Sequence, residues 1–148
     1  MRLLRGLIPF ALGACAVLVT GAAFDRQQGD VQYIGNGRLL STAVKVGNTL
    51  YLSGVLGTSG EKGITPETKT AMDRIKALLE ANGSSMDDIV KCTVFLADFA
   101  EWGAMNEVYL SYFTKHRPAR SAIAVNGMSG NARVEVECTA VIGARNAA

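Results

Sequence analysis

Between Leu39 and Val141 the spacing of apolar residues switches twice from period two to the helical period and back. Strands send side chains to alternate faces, and helices bring residues i, i+3 and i+4 to one face, so this switching fixes an order of elements. Leu40, Thr42, Val44 and Val46 alternate with Ser41, Ala43 and Lys45, Gly47-Asn48 supplies a two-residue turn, and Thr49 to Ser53 returns. That is a hairpin over Leu39–Gly54, followed by a glycine-rich loop to Gly63 without phosphate-loop spacing. Thr65 as N-cap, Pro66 at the first helical position and Gly83 as the stop predict a helix to Asn82, with Met72, Ile75, Leu78 and Leu79 as its buried stripe. Ile89 to Ala97 reads as a strand with Val90, Cys92, Val94 and Leu96 on one face. Asp98 and Glu101 form a capping box that opens a second helix running to about Lys115, burying Trp102, Met105, Tyr109, Tyr112 and Phe113. Two strands, Arg120 to Asn126 and Arg133 to Val141, close the domain as a hairpin around Gly127–Gly130. The order predicts a two-layer α+β domain with both helices on one face of the sheet. The other face carries Ala, Ser, Thr and Val rather than rows of Lys and Glu, which predicts self-association.

The N-terminal segment has a different character. Arg2 and Arg5 precede a charge-free run from Gly6 to Phe24, closed by the small residues Gly21, Ala22 and Ala23 and followed by Asp25. This is the pattern of a signal peptide over residues 1–23, with cleavage after Ala23 and an exported, periplasmic or secreted product. The run also fits an uncleaved anchor facing outward, because it is just long enough to span a bilayer. Leu12-Gly13-Ala14-Cys15 partly matches a lipobox, but the chain stays apolar through Val19. A start codon set too early ahead of a cytosolic protein gives the same appearance. Residues 24–36 read as a polar lead-in and residues 37–148 as the functional domain.

Charge narrows the partners. The chain carries a formal net charge of +2 from 15 Lys+Arg and 13 Asp+Glu, and cleavage after Ala23 removes two arginines and no acid. A near-neutral domain is a poor match for a phosphate backbone, so no nucleic-acid partner is expected. Cys92, Cys138 and the single histidine His116 do not make a standard zinc site, and no metal is expected. Export permits a Cys92–Cys138 disulfide, but two cysteines in apolar strand patterns also fit free buried thiols.

Chemistry-bearing residues gather in the last two strands. Alternation puts Val134, Val136 and Cys138 on one face, and Arg133, Glu135, Glu137 and Thr139 on the other. With Ile123 and Val125 as the core positions of the preceding strand, Arg120, Ala122 and Ala124 point toward the glutamates. A symmetric hairpin then sets Ala122 opposite Glu135 and Arg120 opposite Glu137, with Arg120 diagonal to Glu135. Such a group is either a surface ion pair of little consequence or an anion site. In the second case Arg120 grips a carboxylate with its fork of donors, Glu135 holds or deprotonates a water, and the small Ala122 and Ala124 leave room for a compact ligand.

Several segments occur in a telling order: Ala43-Val44-Lys45-Val46-Gly47-Asn48, Tyr51-Leu52-Ser53-Gly54, Lys91-Cys92-Thr93-Val94-Phe95-Leu96, Met105-Asn106-Glu107-Val108-Tyr109, Arg117-Pro118-Ala119-Arg120-Ser121 and Val134-Glu135-Val136-Glu137. Together they resemble the Rid (reactive intermediate deaminase, YjgF/UK114) family over about Leu39 to Val141. The resemblance implies a chorismate-mutase-like fold, a barrel-like homotrimer with ligand sites between subunits, and hydrolysis of enamines and imines of 2-oxo acids without a cofactor. It puts the carboxylate-binding arginine at Arg120 and the water-associated glutamate at Glu135. Asn106, Ser53 and Gly54 fall on substrate-binding positions. The alternatives it leaves are a non-catalytic binder of small carboxylates and an endoribonuclease. Neutral charge and the absence of paired histidines argue against the latter. Three positions depart from the usual pattern: Leu40 stands for a tyrosine, Val55 for a glutamine and Ala122 for a cysteine. A pocket so altered is expected to favour a larger or more apolar imino acid, or to bind without turning over.

Overall fold

The computed structural model describes residues 30–58 and 60–144. The expected signal segment lies outside the described residues. No helix among the described residues is long and apolar enough to cross a membrane.

Among the described residues, seven strands and two α-helices form the domain: β1 Val31–Asn36, β2 Ser41–Val46, β3 Thr49–Leu52, β4 Val55–Leu56, α1 Ile64–Ala81, β5 Ile89–Leu96, α2 Trp102–Ser111, β6 Ala119–Ala124 and β7 Val134–Val141. They make one mixed sheet in the order β1-β2-β3-β7-β5-β6, with β4 also pairing β7. The α+β expectation holds, and the Gly47-Asn48 turn joins β2 and β3 in the register Val46↔Thr49. Helix α1 lays Ala71, Met72, Ile75 and Leu79 on the sheet, and α2 adds Met105 and Tyr109 over Val94, Leu96, Val134 and Val136, all of them buried.

The helix ends differ from the expected caps. Helix α1 starts at Ile64 with Gly63 as its N-cap, so Thr65 lies inside the first turn. What fixes this end is Glu67, fully buried, whose Oε2 accepts from the backbone N of Arg133 at 2.7 Å and whose Oε1 accepts from Gly63 N at 3.3 Å. Gly57 permits the contact, since a Cβ there would lie 2.5 Å from the Glu67 carbonyl oxygen. Asp98 caps a 3-10 turn, Phe99–Glu101, by accepting from Ala100 N, while Glu101 turns away to pair with Arg133 at 2.7 Å. Helix α2 then ends at Ser111, a full turn before Lys115.

Three further features correct the sequence reading. Val31–Asn36, expected within a loose lead-in, is an edge strand paired with β2. A register shift between Ile89 and Lys91 turns Val90 outward, to 42% exposure, and Ile89 takes its place in the core. Most consequentially, β6 does not form a hairpin with β7. It pairs in parallel with β5, with α2 as the crossover, and β7 lies antiparallel on the other side of β5.

Cys92 and Cys138 are direct partners across β5 and β7 and form a disulfide, with Cα atoms 4.1 Å apart.

Candidate functional site

The parallel pairing sets where each candidate side chain points. Arg120 is in register with Cys92, and Cys92 with Cys138, so all three share one face. Cys92, Val94 and Leu96 are completely buried beneath the helices. Arg120, Ala122 and Ala124 therefore belong to the helix-covered side, and Ile123, expected in the core, is 47% exposed on the opposite face. Glu135 and Glu137 share that opposite face, in register with Phe95 and Thr93. The expected cluster of Arg120 with both glutamates is thus separated by the sheet itself. Glu135 also stands two strands from β6, about 10 Å at the usual strand spacing.

On the helix side, Arg120 sits on the edge strand β6 against α2. Trp102, Met105, Asn106 and Tyr109 fall on one stripe of that helix because their spacing is three and four residues. Met105 and Tyr109 go into the core, and the flanking Trp102 and Asn106 meet the arginine. Nη1 of Arg120 donates to Oδ1 of Asn106 at 2.8 Å. Its guanidinium carbon stands 4.7 Å from the Tyr109 ring centroid and 5.8 Å from that of Trp102, both within range of a cation–π attraction. Burial pushes the Tyr109 phenol up to about 12, with the Arg120 charge pulling the other way. The hydroxyl of Tyr109 is buried with no hydrogen-bond partner among the described residues. No carboxylate pairs with Arg120 among the described residues. A half-buried, permanently charged fork is therefore held from behind, with most of its five N–H donors uncommitted. Ala122, two residues on, is partly buried against the core and keeps this face low.

The second group lies toward the other half of the sheet, around β2, β4 and β7. A cleft of about 420 Å³ there is lined by Leu40, Ser53, Gly54, Val55 and neighbouring residues. Glu135 lies against Gly54 so closely that a Cβ on Gly54 would be 1.8 Å from Oε1. The half-buried Glu135 carboxylate has no hydrogen bond or ion pair among the described residues. Ser53 spends both its donors inside the sheet: its Oγ donates to Ser41 O at 2.7 Å and its N to Thr42 O at 3.0 Å. It can only accept from a ligand.

The seven candidate residues therefore form two half-sites. Arg120, Asn106 and Ala122 make one, and Glu135, Gly54, Ser53 and Leu40 make the other, with no contact between them in one chain. Sequence reasoning missed Trp102 and Tyr109 as partners of the guanidinium, reading them only as core. Their helical spacing from Asn106 was the available signal. A larger cleft of about 570 Å³ near Asp88 and Lys115 holds none of the candidates. Its charges are engaged, Lys115 with Asp87 and Asp88 with Ser84 and Ser85. Among the described residues no group of His, Cys, Asp and Glu is arranged to hold a metal.

Residues 36–142 match the family model described as Endoribonuclease L-PSP. A 2-iminobutanoate/2-iminopropanoate deaminase from Dermatophagoides farinae is 40% identical over 108 residues, covering 69% of this chain and 84% of the relative. The Mus musculus protein of the same name is 39% identical over 109 residues, covering 70% and 81%. Among solved structures, RidA from the Antarctic bacterium Psychrobacter superposes with a TM-score of 0.69 at 33% identity, over 79% of this chain and all of that one.

Proposed function

The chain belongs to the Rid (YjgF/UK114) family, and from that premise we propose that it hydrolyses small 2-imino acids to 2-oxo acids and ammonium. The observation that carries this reading is the Arg120 guanidinium, held by Asn106 and two aromatic rings and left without a carboxylate among the described residues. A group so prepared suits the carboxylate of a 2-imino acid, bound through two parallel charge-assisted hydrogen bonds. The imine carbon is already electrophilic, so catalysis consists mainly of holding the substrate and aiming a water at it. Glu135 accepts a proton from that water as its oxygen bonds to the imine carbon. The proton passes to nitrogen to give a carbinolamine; its hydroxyl proton then moves to nitrogen as the C–N bond breaks, so the carbonyl forms and ammonia leaves, taking up a solvent proton to become ammonium. An enamine enters the same course after tautomerising to the imine.

Arg120 and Glu135 must act on one substrate, and the sheet keeps them apart within a chain. The reading therefore includes a homotrimer in which Arg120, Asn106 and Ala122 of one copy face Glu135, Gly54, Ser53 and Leu40 of the next. The apolar residues exposed on the open sheet face, Tyr33, Tyr51 and Ile123 among them, support such burial. The reading further includes export, with cleavage after Ala23, and the Cys92–Cys138 bridge supports an oxidising compartment.

Subunit complementation tests the reading. Arg120→Ala and Glu135→Gln chains are each expected to release ammonium from imines generated in situ by an amino-acid oxidase only at a small residual rate. Unfolded together and refolded at equal ratio, they should recover about one quarter of wild-type activity, because a shared site is intact when each neighbour supplies its unmutated half. Zero recovery from properly assembled mixtures refutes the shared site, and an inactive wild-type assembly refutes the hydrolase. N-terminal sequencing of the mature chain tests the cleavage.

A further inference from the structure

We infer that the imino acid taken by this site carries an apolar side chain of about leucine size, an inference that rests on the deaminase reading above and narrows its substrate. The cleft beside Gly54 is where the side chain of a substrate held near Glu135 has room to extend. At about 420 Å³ it far exceeds a three-carbon imino acid, which displaces on the order of 100 Å³, a few water volumes. Its walls include Leu40, Val55, Leu56 and Leu78. Of the three hydroxyls on them, two are already committed as donors, Ser53 to Ser41 O and Thr42 to Ile34 O at 2.9 Å, and Thr58 carries the third. Water filling this space would face mostly hydrocarbon with few polar groups to meet it, whereas a branched aliphatic group would displace that water at the cost of few polar contacts.

The one charge on the wall is Arg74, and Nη1 of its guanidinium donates to Leu56 O at 3.0 Å. An acidic side chain would have to lie along the leucines and valine to reach it, losing hydration on the way. The cleft therefore selects against a second carboxylate. An isobutyl group adds three carbons to a methyl, worth about fourfold each when fully buried. With one side of the cleft open, the expected preference is about tenfold.

The test compares kcat/KM for imines generated in situ from alanine, leucine and glutamate, using the full assembly. The expected result is the leucine-derived imine about tenfold above the alanine-derived one, with the glutamate-derived one lowest. Val55→Gln should pull the leucine-to-alanine ratio down toward unity. If the alanine- or glutamate-derived imine is turned over as fast as the leucine-derived one, or faster, the inference is overturned while the deaminase reading stands. If none is turned over, the deaminase reading fails instead, and binding decides the inference. Fluorescence of Trp102, the chain's single tryptophan, should then report a Kd for 4-methyl-2-oxopentanoate about tenfold below that for pyruvate, and equal values overturn it.

Discussion

Gly54→Ala separates the position of one carboxylate from the stability of the fold. A Cβ at this residue would lie 1.8 Å from Oε1 of Glu135, 2.8 Å from Cδ and 3.2 Å from Cγ. Real Cβ contacts essentially never fall below 3.0 Å, so the oxygen must withdraw by at least 1.2 Å, the difference between 3.0 and 1.8. It can do so, being the end of a flexible and half-exposed side chain. A displacement of about 1 Å in a positioned catalytic group costs on the order of 100-fold in rate, or about 2.7 kcal/mol. Gly54 is exposed and lies outside the left-handed region, so alanine is compatible with its backbone and should leave stability unchanged or raise it by about 0.5 kcal/mol. The expected result is a fall of about 100-fold in kcat for ammonium release with an unaltered melting temperature. In a Glu135→Ala background the same substitution should cost nothing further, because its effect runs through that carboxylate. Wild-type kcat in Gly54→Ala, or an equal loss with Glu135 absent, would refute the assignment of Glu135.

Three more outcomes follow from the packing. The Cys92–Cys138 bridge closes a loop with a sequence separation of 46, for which chain entropy gives about 4 kcal/mol of stabilisation. The Cys92→Ala/Cys138→Ala variant should unfold at a clearly lower urea midpoint, and a midpoint indifferent to reductant in the wild type would contradict the bridge. Glu67→Ala leaves the amides of Arg133 and Gly63 without their acceptor and should cost about 3 kcal/mol, measured as a lowered melting temperature. The Tyr109 phenol, raised by burial from 10.0 to about 12, favours the fold while it stays neutral. That contribution is fully present below pH 10 and is lost as pH rises through 12, so the urea midpoint should fall across this window in the wild type and less steeply in Tyr109→Phe.

Local patterns were legible in the sequence because local physics decides them. The Gly47-Asn48 turn, the stripe of Met72, Ile75 and Leu79, and the stop at Gly83 each depend on neighbours a few residues away. The strand at Val31–Asn36 was hidden because a polar, glycine-containing stretch carries little β signal and becomes a strand through its ladder with β2. Val90 was misplaced because one bulge residue inverts the phase of alternation behind it. The disulfide depended on a cross-strand distance that spacing cannot supply. The partner of β6 is the least legible feature, since alternation is identical whether a strand is paired in a hairpin or by crossover. The better signal was topological: a helix between β5 and β6 is the connection a parallel pair requires, and residues 125–133 are too long a link for a tight hairpin.

The pairing of β6 also changes what the charges can do. In a hairpin, Arg120 would have met Glu135 and Glu137 directly, and each charge would have been answered inside the protein. A glutamate beside a guanidinium is a weaker base, because the cation stabilises its charged form. A guanidinium already holding a carboxylate has less to offer an external one, and the resulting pair is an ordinary surface bridge of small energy. Parallel pairing places Arg120 against Asn106, whose neutral oxygen orients the fork without cancelling its charge, and against two ring faces that attract a cation without donating to it. Glu135, on the far side of the sheet, lies beside a glycine instead of a cation. Among the described residues both charges stay unneutralised, as the proposed roles require of a group that grips an acid and a group that takes a proton. The separation that rules out the cross-strand ion pair is thus what keeps both groups chemically competent. On the proposed reading, it is a second copy of the chain, rather than a closer approach within one, that joins them.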